Sequence, residues 1–404
     1  MSKQHLDTIL KKADAQVSKA QNLVRGHDGL VVNEAQSYYI DDDVEIKTIE
    51  IPSQNPASFG GVVQFNVREK GEHYEWVLKL RVSAISGYTG GGSETVEFVP
   101  ASLWFNSIED LNQNGDVLET LGDEQLIIAN MFSDADSDRK KYNTAIGRFD
   151  DASHRQLLAS KVSDYLVELW SFNKQAPMVI TNDNNSHILR FNLRPLADIV
   201  VAQGGSGTPA ASIISASLLC RVVKNSLPNL EQAIAKIPRN IRILDKNHQP
   251  VLVQSGISST RIVLAGLVGD YAFLFFTVRS LSPKNADLMT YTEIDSYRIL
   301  DGSSENIIGR AVSDTESRLV YGRNWIDTSF FTDNAQHIYL YSFANNPSAV
   351  FKSGNYLGSR VFGGNEQLEI NFTSSLISQV QIDIYAYSYS ALQIHQNGIR
   401  KRAK

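Results

Sequence analysis

The stretch HYEWVLKLRVSAI, residues 73–85, decides the class of fold. Tyr74, Trp76, Leu78, Leu80, Val82 and Ala84 share one parity. His73, Glu75, Lys79, Arg81 and Ser83 share the other, with Val77 the exception. Side chains alternate across a β-strand, so this period of two predicts a half-buried strand of an antiparallel sheet, the first set facing the core. Similar runs recur along the chain: VEIKTIEI (44–51), GVVQFNV (61–67), TVEFV (95–99) and ILRFNL (188–193) in the first half. NIRIL (240–244), PVLVQ (250–254), RIVLAGL (261–267), YAFLFFTV (271–278), HIYLYSF (337–343), QLEINF (367–372) and QVQIDIYAYSYSALQI (379–394) follow in the second. PASFGG, GYTGGGSE, NQNGD, LDGSSEN and FKSGN punctuate them as turns. Many short strands with Gly-rich turns and no regular helix between them predict an all-β chain built of sandwiches.

Helical patterns are few. Leu6, Ile9, Leu10, Ala13, Val17, Ala20 and Val24 make one apolar stripe, so residues 1–30 read as an amphipathic helix flanked by lysines and ended by Gly26 and Gly29. Such a helix can lie on a membrane surface or pack on protein. Residues 153–170 carry Leu157, Leu158, Val162, Tyr165, Leu166 and Leu169 near helical spacing, and 194–203 read as a short helix. SLPNLEQAIAKIP, 226–238, reads as a linker helix between β domains at 40–225 and 239–396. Polar loops are expected near 106–123 and 132–153. The apolar run 262–278 suits two buried strands better than a membrane span, because Asp270 sits near its middle. No sequence repeat is evident.

The charge is unevenly spread. A total of −6, with +3 in residues 1–25 and +4 in the tail GIRKRAK, leaves −13 for the body between. The acidic total offers no general pull toward nucleic acid, so no sequence-specific nucleic-acid binding is expected. Lys11, Lys12, Lys19, Arg25, Arg400, Lys401, Arg402 and Lys404 are the candidate residues for contact with an anionic surface. The single cysteine, Cys220, lies in an apolar run, reads as a buried hydrophobe and excludes an intramolecular disulfide. The charged start of the chain has no apolar signal-peptide core.

Catalytic and ligand motifs are weak. Gly205, Gly207 and Ala210 fit G-x-G-x-x-A, but Pro209 interrupts the motif, a strand pattern follows it, and a flexible loop is expected. Asp110, Asn112, Asn114 and Gly115 match the opening of a calcium loop, yet the twelfth position is Leu121. In DADSD (134–138), Arg139 stands where the glycine belongs. The eight histidines form no His-x-His or His-Glu-x-x-His, and no Gly-x-Ser-x-Gly elbow is present. No enzyme activity, metal or cofactor is therefore expected. Tyr339 and Tyr341, and Tyr385, Tyr387 and Tyr389, alternate along strands and suit a surface against which other chains pack.

The segment SFANNPSAVFKSGNYLGSR resembles one near the end of double jelly-roll major capsid proteins of icosahedral double-stranded DNA viruses. Ser342, Phe343, Asn346 and Pro347 match the turn of that family. Ser353, Gly354, Asn355, Ser359 and Arg360 match its following loop, and IDIYAYSYSALQIHQNGI resembles its last strand. Lys352 replaces the usual proline and one extra residue stretches the loop, which marks a divergent member. The resemblance implies two jelly rolls per chain, pseudo-hexagonal homotrimers and a capsid lattice in the virion, with synthesis in the host cytoplasm. It also implies penton and minor capsid partners, outward loop towers, and basic ends (1–30 and 397–404) facing inward, toward an internal lipid membrane where there is one. The other reading of the pattern is a carbohydrate-binding or glycan-acting β-sandwich, such as a receptor-binding spike.

Overall fold

The computed structural model describes residues 44–122, 144–147, 152–169, 178–225, 239–302, 311–317, 337–344, 358–395 and 398–401. The expected helices at 1–30 and 226–238, most of the 132–153 loop, DADSD, and much of the capsid-like loop lie outside these residues.

The first half contains β1 (Val44–Pro52), β2 (Val62–Val67), β3 (Gly71–Val82), β4 (Ser86–Phe98), β5 (Phe105–Leu111) and β6 (Val117–Leu121). Helix α1 (Ala152–Ala159) follows, then β7 (Ser163–Glu168), β8 (Met178–Ile180), β9 (His187–Leu193), β10 (Val200–Ala210) and β11 (Ile213–Asn225). The second half contains β12 (Arg239–Val253), β13 (Ser259–Val263), β14 (Val268–Ser280), β15 (Ile294–Leu300) and β16 (Val312–Ser313). It closes with β17 (Ile338–Ser342), β18 (Arg360–Gly363), β19 (Gln367–Phe372), β20 (Val380–His395) and β21 (Gly398–Lys401).

Both halves use one topology. In the first, β1-β11-β3-β7 form one sheet and β2-β9-β5-β6 the other. In the second, β12-β20-β14-β17 face β13-β19-β15-β16. Numbering the eight common strands of each half from one to eight gives sheet orders 1-8-3-6 and 2-7-4-5 both times. Each half is a jelly roll. The additions differ: β4 and β10 pair as a two-stranded ribbon on the first, β8 borders β3, β18 borders β14, and β21 borders β20.

Alternation builds the cores. Trp76, Leu78, Leu80 and Val82 of β3 face Phe65 of β2 and Phe191 of β9, with Leu218, Cys220 and Val222 of β11 beside them. Leu274, Phe276 and Val278 of β14 pack with Tyr297, Ile299, Leu368, Ile370, Ile382 and Ile384 in the second. Burial pushes the Cys220 thiol up to about 12, which keeps it an inert hydrophobe.

The structure departs from the sequence reading at named places. His73 has the parity of the solvent face, yet it is fully buried. A β-bulge at Tyr74 is the reason: Arg221 pairs with Glu75, but Val222 pairs with His73, so one extra residue flips the parity and turns His73 inward. The described part of the stretch 153–170, residues 153–169, is half helix and half strand. Ser163, Tyr165 and Val167 face the core from β7, whereas Leu157 and Val162 are exposed. Tyr165 and Leu169 satisfy a period of two as well as three-and-four spacing, so the helical pattern was ambiguous. The polar loop at 106–123 is the β5–β6 hairpin, its sequence carrying buried Ile108, Leu111, Leu118 and Leu121. The helix at 194–203 is a single turn, Leu196–Ile199, and GGSGTPA is strand, not loop, paired to β4.

A short repeat emerges that the sequence did not announce. Gly71-Glu72-His73-Tyr74 opens β3, and Gly269-Asp270-Tyr271-Ala272 opens β14. The glycines have φ of +139° and +138°. Each is followed two residues on by a buried ring and then by a bulge, at Tyr74 and at Ala272. Only glycine adopts such φ readily. A Cβ on Gly71 would also meet Val222 Cγ1 at 2.5 Å and the Val223 carbonyl at 2.7 Å, whereas Gly269 has open space. Gly71→Ala is therefore expected to lower unfolding free energy by on the order of 3 kcal/mol, and Gly269→Ala by about 1 kcal/mol. Urea unfolding of the two variants measures the difference, and equal losses would contradict it.

Candidate assembly surface

The outer face of the β12-β20-β14-β17 sheet is apolar and covered. Phe273 and Phe275 of β14, Ile338 and Leu340 of β17, and Tyr385 and Tyr387 of β20 point away from their own sandwich. All six are buried in one cluster with the core of the first jelly roll. Phe273 and Tyr387 lie with ring centroids 4.9 Å apart, and Phe275 meets Tyr387 edge-on at 5.9 Å. Burial, and Glu119 of β6 nearby, raise the Tyr387 hydroxyl pKa well above the ordinary phenol. Tyr385 and Tyr387, read from the sequence as part of a docking surface for other chains, thus line a surface inside this one. Tyr339 points the other way, into the second core, where it stacks on Phe276.

The C-terminal strand ties the halves together. Beyond Ser388, where its ladder with β14 ends, β20 runs on and pairs with β21, Leu392 opposite Lys401 and Gln393 opposite Arg400. Ile399 is buried, and its carbonyl accepts from Asn112 Nδ2 of the first jelly roll at 3.1 Å. Lys284 pairs with Asp198 at 2.9 Å across the same junction.

A cleft of about 440 Å³ remains between the halves, bordered by the β5–β6 hairpin and by β12, β14 and β20. Its floor is the fully buried Asp383. His248 Nε2 meets Asp383 Oδ1 at 2.8 Å, Arg279 Nε donates to Oδ2 at 3.3 Å, and the Gln381 amide donates to both oxygens. Burial pushes this carboxyl up, but the bond from His248, the Arg279 charge and the Gln381 amide together outweigh it. The pKa lies below the ordinary carboxylate value. His248 also stacks on Tyr385 at 4.6 Å.

The corresponding face of the first jelly roll is partly exposed: Glu72 and Val179 at its β3–β8 end are buried, and the rest is accessible among the described residues. Ile46 of β1, Leu219 and Val223 of β11, Val77 of β3 and Leu166 of β7 form a half-exposed apolar stripe, with Ile46 60% exposed. Ion pairs cross and border it: Arg221–Glu75 at 3.5 Å lies between Ile46–Val223 and Leu219–Val77, with Lys79–Glu50 at 3.7 Å and Arg81–Asp164 at 3.9 Å beyond. Such a mixed apolar and charged face has the composition of an assembly interface that also tolerates water.

Of the charged residues predicted to meet an anionic surface, Arg400 and Lys401 have their backbone in β21. Lys11, Lys12, Lys19, Arg25, Arg402 and Lys404 lie outside the described residues. The calcium-like loop is put to other use: Asp110 accepts from His187 Nδ1 at 2.8 Å within the core, and the Asn112 side-chain oxygen accepts the Asn114 and Asp116 amides. Sequence reasoning missed the partly exposed stripe, because its members come from four strands far apart in the chain.

No family model and no curated protein sequence matches the chain. Solved structures do. A chain of the PBCV-1 virus capsid superposes at TM-score 0.68 and 14% identity, over 90% of this chain and 97% of that one. The Faustovirus major capsid protein superposes at TM-score 0.66 and 9% identity, over 96% and 98%. A chain of the Sputnik virophage does so at 0.62 and 10%, over 93% and 92%. The fold is a double jelly roll. The superpositions extend over nearly the whole chain, at an identity that marks wide divergence.

Asp383→Ala removes the acceptor shared by His248, Arg279 and Gln381 and is expected to cost roughly 3 kcal/mol of unfolding free energy. Glu75→Ala, which breaks the exposed pair with Arg221, is expected to cost less than about 1 kcal/mol. Chemical denaturation separates the two, and a negligible loss for Asp383→Ala would contradict the reading of the junction.

Proposed function

We propose that the chain is a major capsid protein that self-associates as a trimer of pseudo-hexagonal outline and then as an icosahedral lattice. One observation carries the reading: the two jelly rolls are alike, yet among the described residues the outer sheet face of the second is covered and that of the first is partly exposed. Within the chain, the β12-β20-β14-β17 face packs against the β5–β6 side of the first jelly roll. The arrangement pairs the partly exposed stripe on the β1-β11-β3-β7 sheet of one copy with the corresponding β15–β16 side of the second jelly roll of the next. Joining these between copies repeats the internal contact as a head-to-tail interface, which closes into a ring. Three chains supply six jelly rolls. Obligate interfaces of this kind bury on the order of 2,000 Å² or more.

The fold shared with the PBCV-1, Faustovirus and Sputnik capsid chains supports the same reading. Its role is structural, not enzymatic, and its place is the virion after synthesis in the host cytoplasm. Its partners are further copies, penton and minor capsid proteins, and an internal lipid layer where there is one. The basic residues Lys11, Lys12, Lys19, Arg25, Arg400, Lys401, Arg402 and Lys404 belong to the inward side in this arrangement.

Light scattering on the purified protein is expected to give the mass of three chains. Leu219→Glu combined with Val77→Glu should give a single chain with unchanged circular dichroism. A wild-type monomer at micromolar concentration, or a variant that assembles like the wild type, would contradict the proposal. Replacing Lys11, Lys12, Arg400 and Lys401 together by Glu should reduce particle yield and leave the fold intact. Unchanged yield would remove the inward-side role of those residues.

A further inference from the structure

The bulge in β3 brings an ionisable ring into the first core, and the bonds around that ring admit only its neutral form. His73 Nε2–H donates to the Glu69 carbonyl at 2.7 Å. Its Nδ1 accepts from Trp76 Nε1–H at 3.1 Å. Both side chains are fully buried. An imidazolium has N–H at both nitrogens. Protonated His73 would therefore set one N–H against the indole N–H, two buried donors with no acceptor between them.

The groups facing the ring come from several elements. Glu69 precedes it and is paired with Lys224 of β11. Glu72 lies beside it on β3 and accepts from the Tyr74 hydroxyl. His187 of β9 stands on the far side of Trp76, 5.2 Å from the indole, with Asp110 of β5 on its Nδ1. Burial dominates the balance, the Glu69 carbonyl and carboxylate oppose it, His187 and Lys224 add to it, and the pKa falls from 6.5 to about 4.

The second jelly roll supplies an internal comparison. Tyr271 occupies the corresponding place after Gly269 and before the bulge, and its hydroxyl donates to the Val268 carbonyl at 3.3 Å. Its pKa is raised above 10.0, burial being the main cause, so acid does not change its charge. The same backbone device thus carries an acid-titrating ring in one jelly roll only.

We propose that His73 is a proton-operated latch of the first jelly roll. Protonation breaks its bond with Trp76 and frees the corner where β8 pairs with residues 71–73, while the second jelly roll stays closed. The unfolded ring takes its proton near 6.5 and the folded ring near 4, so the latch is at full strength above the first value and weakens as pH falls toward the second. The latch does not rest on the capsid reading. If that reading holds, acid loosens the shell through one of its two domains.

Hydrogen exchange by mass spectrometry on the full chain tests this, comparing about pH 7.5 with about pH 4.5 after correction for intrinsic rates. Peptides covering β3 and β8 are expected to lose protection on the order of tenfold or more, while those covering β14 keep it. In His73→Gln, the amide can donate to Glu69 and accept from Trp76, and the onset should move down by about one pH unit. His73→Tyr, which copies the second jelly roll, serves where the Gln variant does not fold. Loss of protection in both jelly rolls together, no loss in either, or an unchanged onset in the variants would overturn the proposal.

Discussion

Phe273, Phe275, Tyr385 and Tyr387 point out of the second sandwich, and the rest of the structure follows from the need to cover them. A large side chain gains on the order of 2 kcal/mol when it leaves water, so an exposed sheet face carrying four aromatic rings would be a liability. The first jelly roll covers it. That contact fixes how the two domains sit, brings Asn112 onto the Ile399 carbonyl, and encloses the cleft above Asp383. It also explains why β20 is the longest strand among the described residues: it lines the second core with Ile382, Ile384 and Ala386, covers the junction with Tyr385 and Tyr387, and then holds β21.

The two jelly rolls are variations on one plan. Strand order, the positive-φ glycine at the head of the third strand, and the bulge three residues later all recur. What differs is the chemistry hung on that plan. The first outer face is a mixed stripe with ion pairs, and the second is aromatic. The buried ring is histidine in one and tyrosine in the other. A mixed face can stay in water in a free chain and be covered later, as the proposed assembly requires.

Much of the fold was legible in the sequence, because alternation is a local property. The strands around Trp76, Phe65, Phe191, Ile382 and Ile370 follow from a period of two, and residues 262–278 resolve into two strands as Asp270 suggested. The failures share a cause: they depend on register or on partners remote in sequence. One extra residue at Tyr74 moves His73 from solvent to core, and no local pattern signals it. Tyr165 and Leu169 satisfy two periodicities at once, so the strand after α1 was read as helix. Tyr385 and Tyr387 were recognised as interface residues, but only the topology assigns them to an interface within the chain. Ile46, Val77, Leu166 and Leu219 acquire meaning as one surface only when four strands are laid side by side. The recurrence of Gly-acidic-ring ahead of a bulge was present in the sequence, at 71–73 and 269–271, but is too short to stand out without the matching φ angles.

The central claim is that the contact between the two jelly rolls is repeated between chains. Electron microscopy of the purified, unmodified protein tests it most directly. The account predicts a ring of six similar lobes made by three chains, with the β1-β11-β3-β7 sheet of each facing the β15–β16 side of the next. Particles of two lobes, or rings in which the β1-β11-β3-β7 face looks out into solvent, would contradict it.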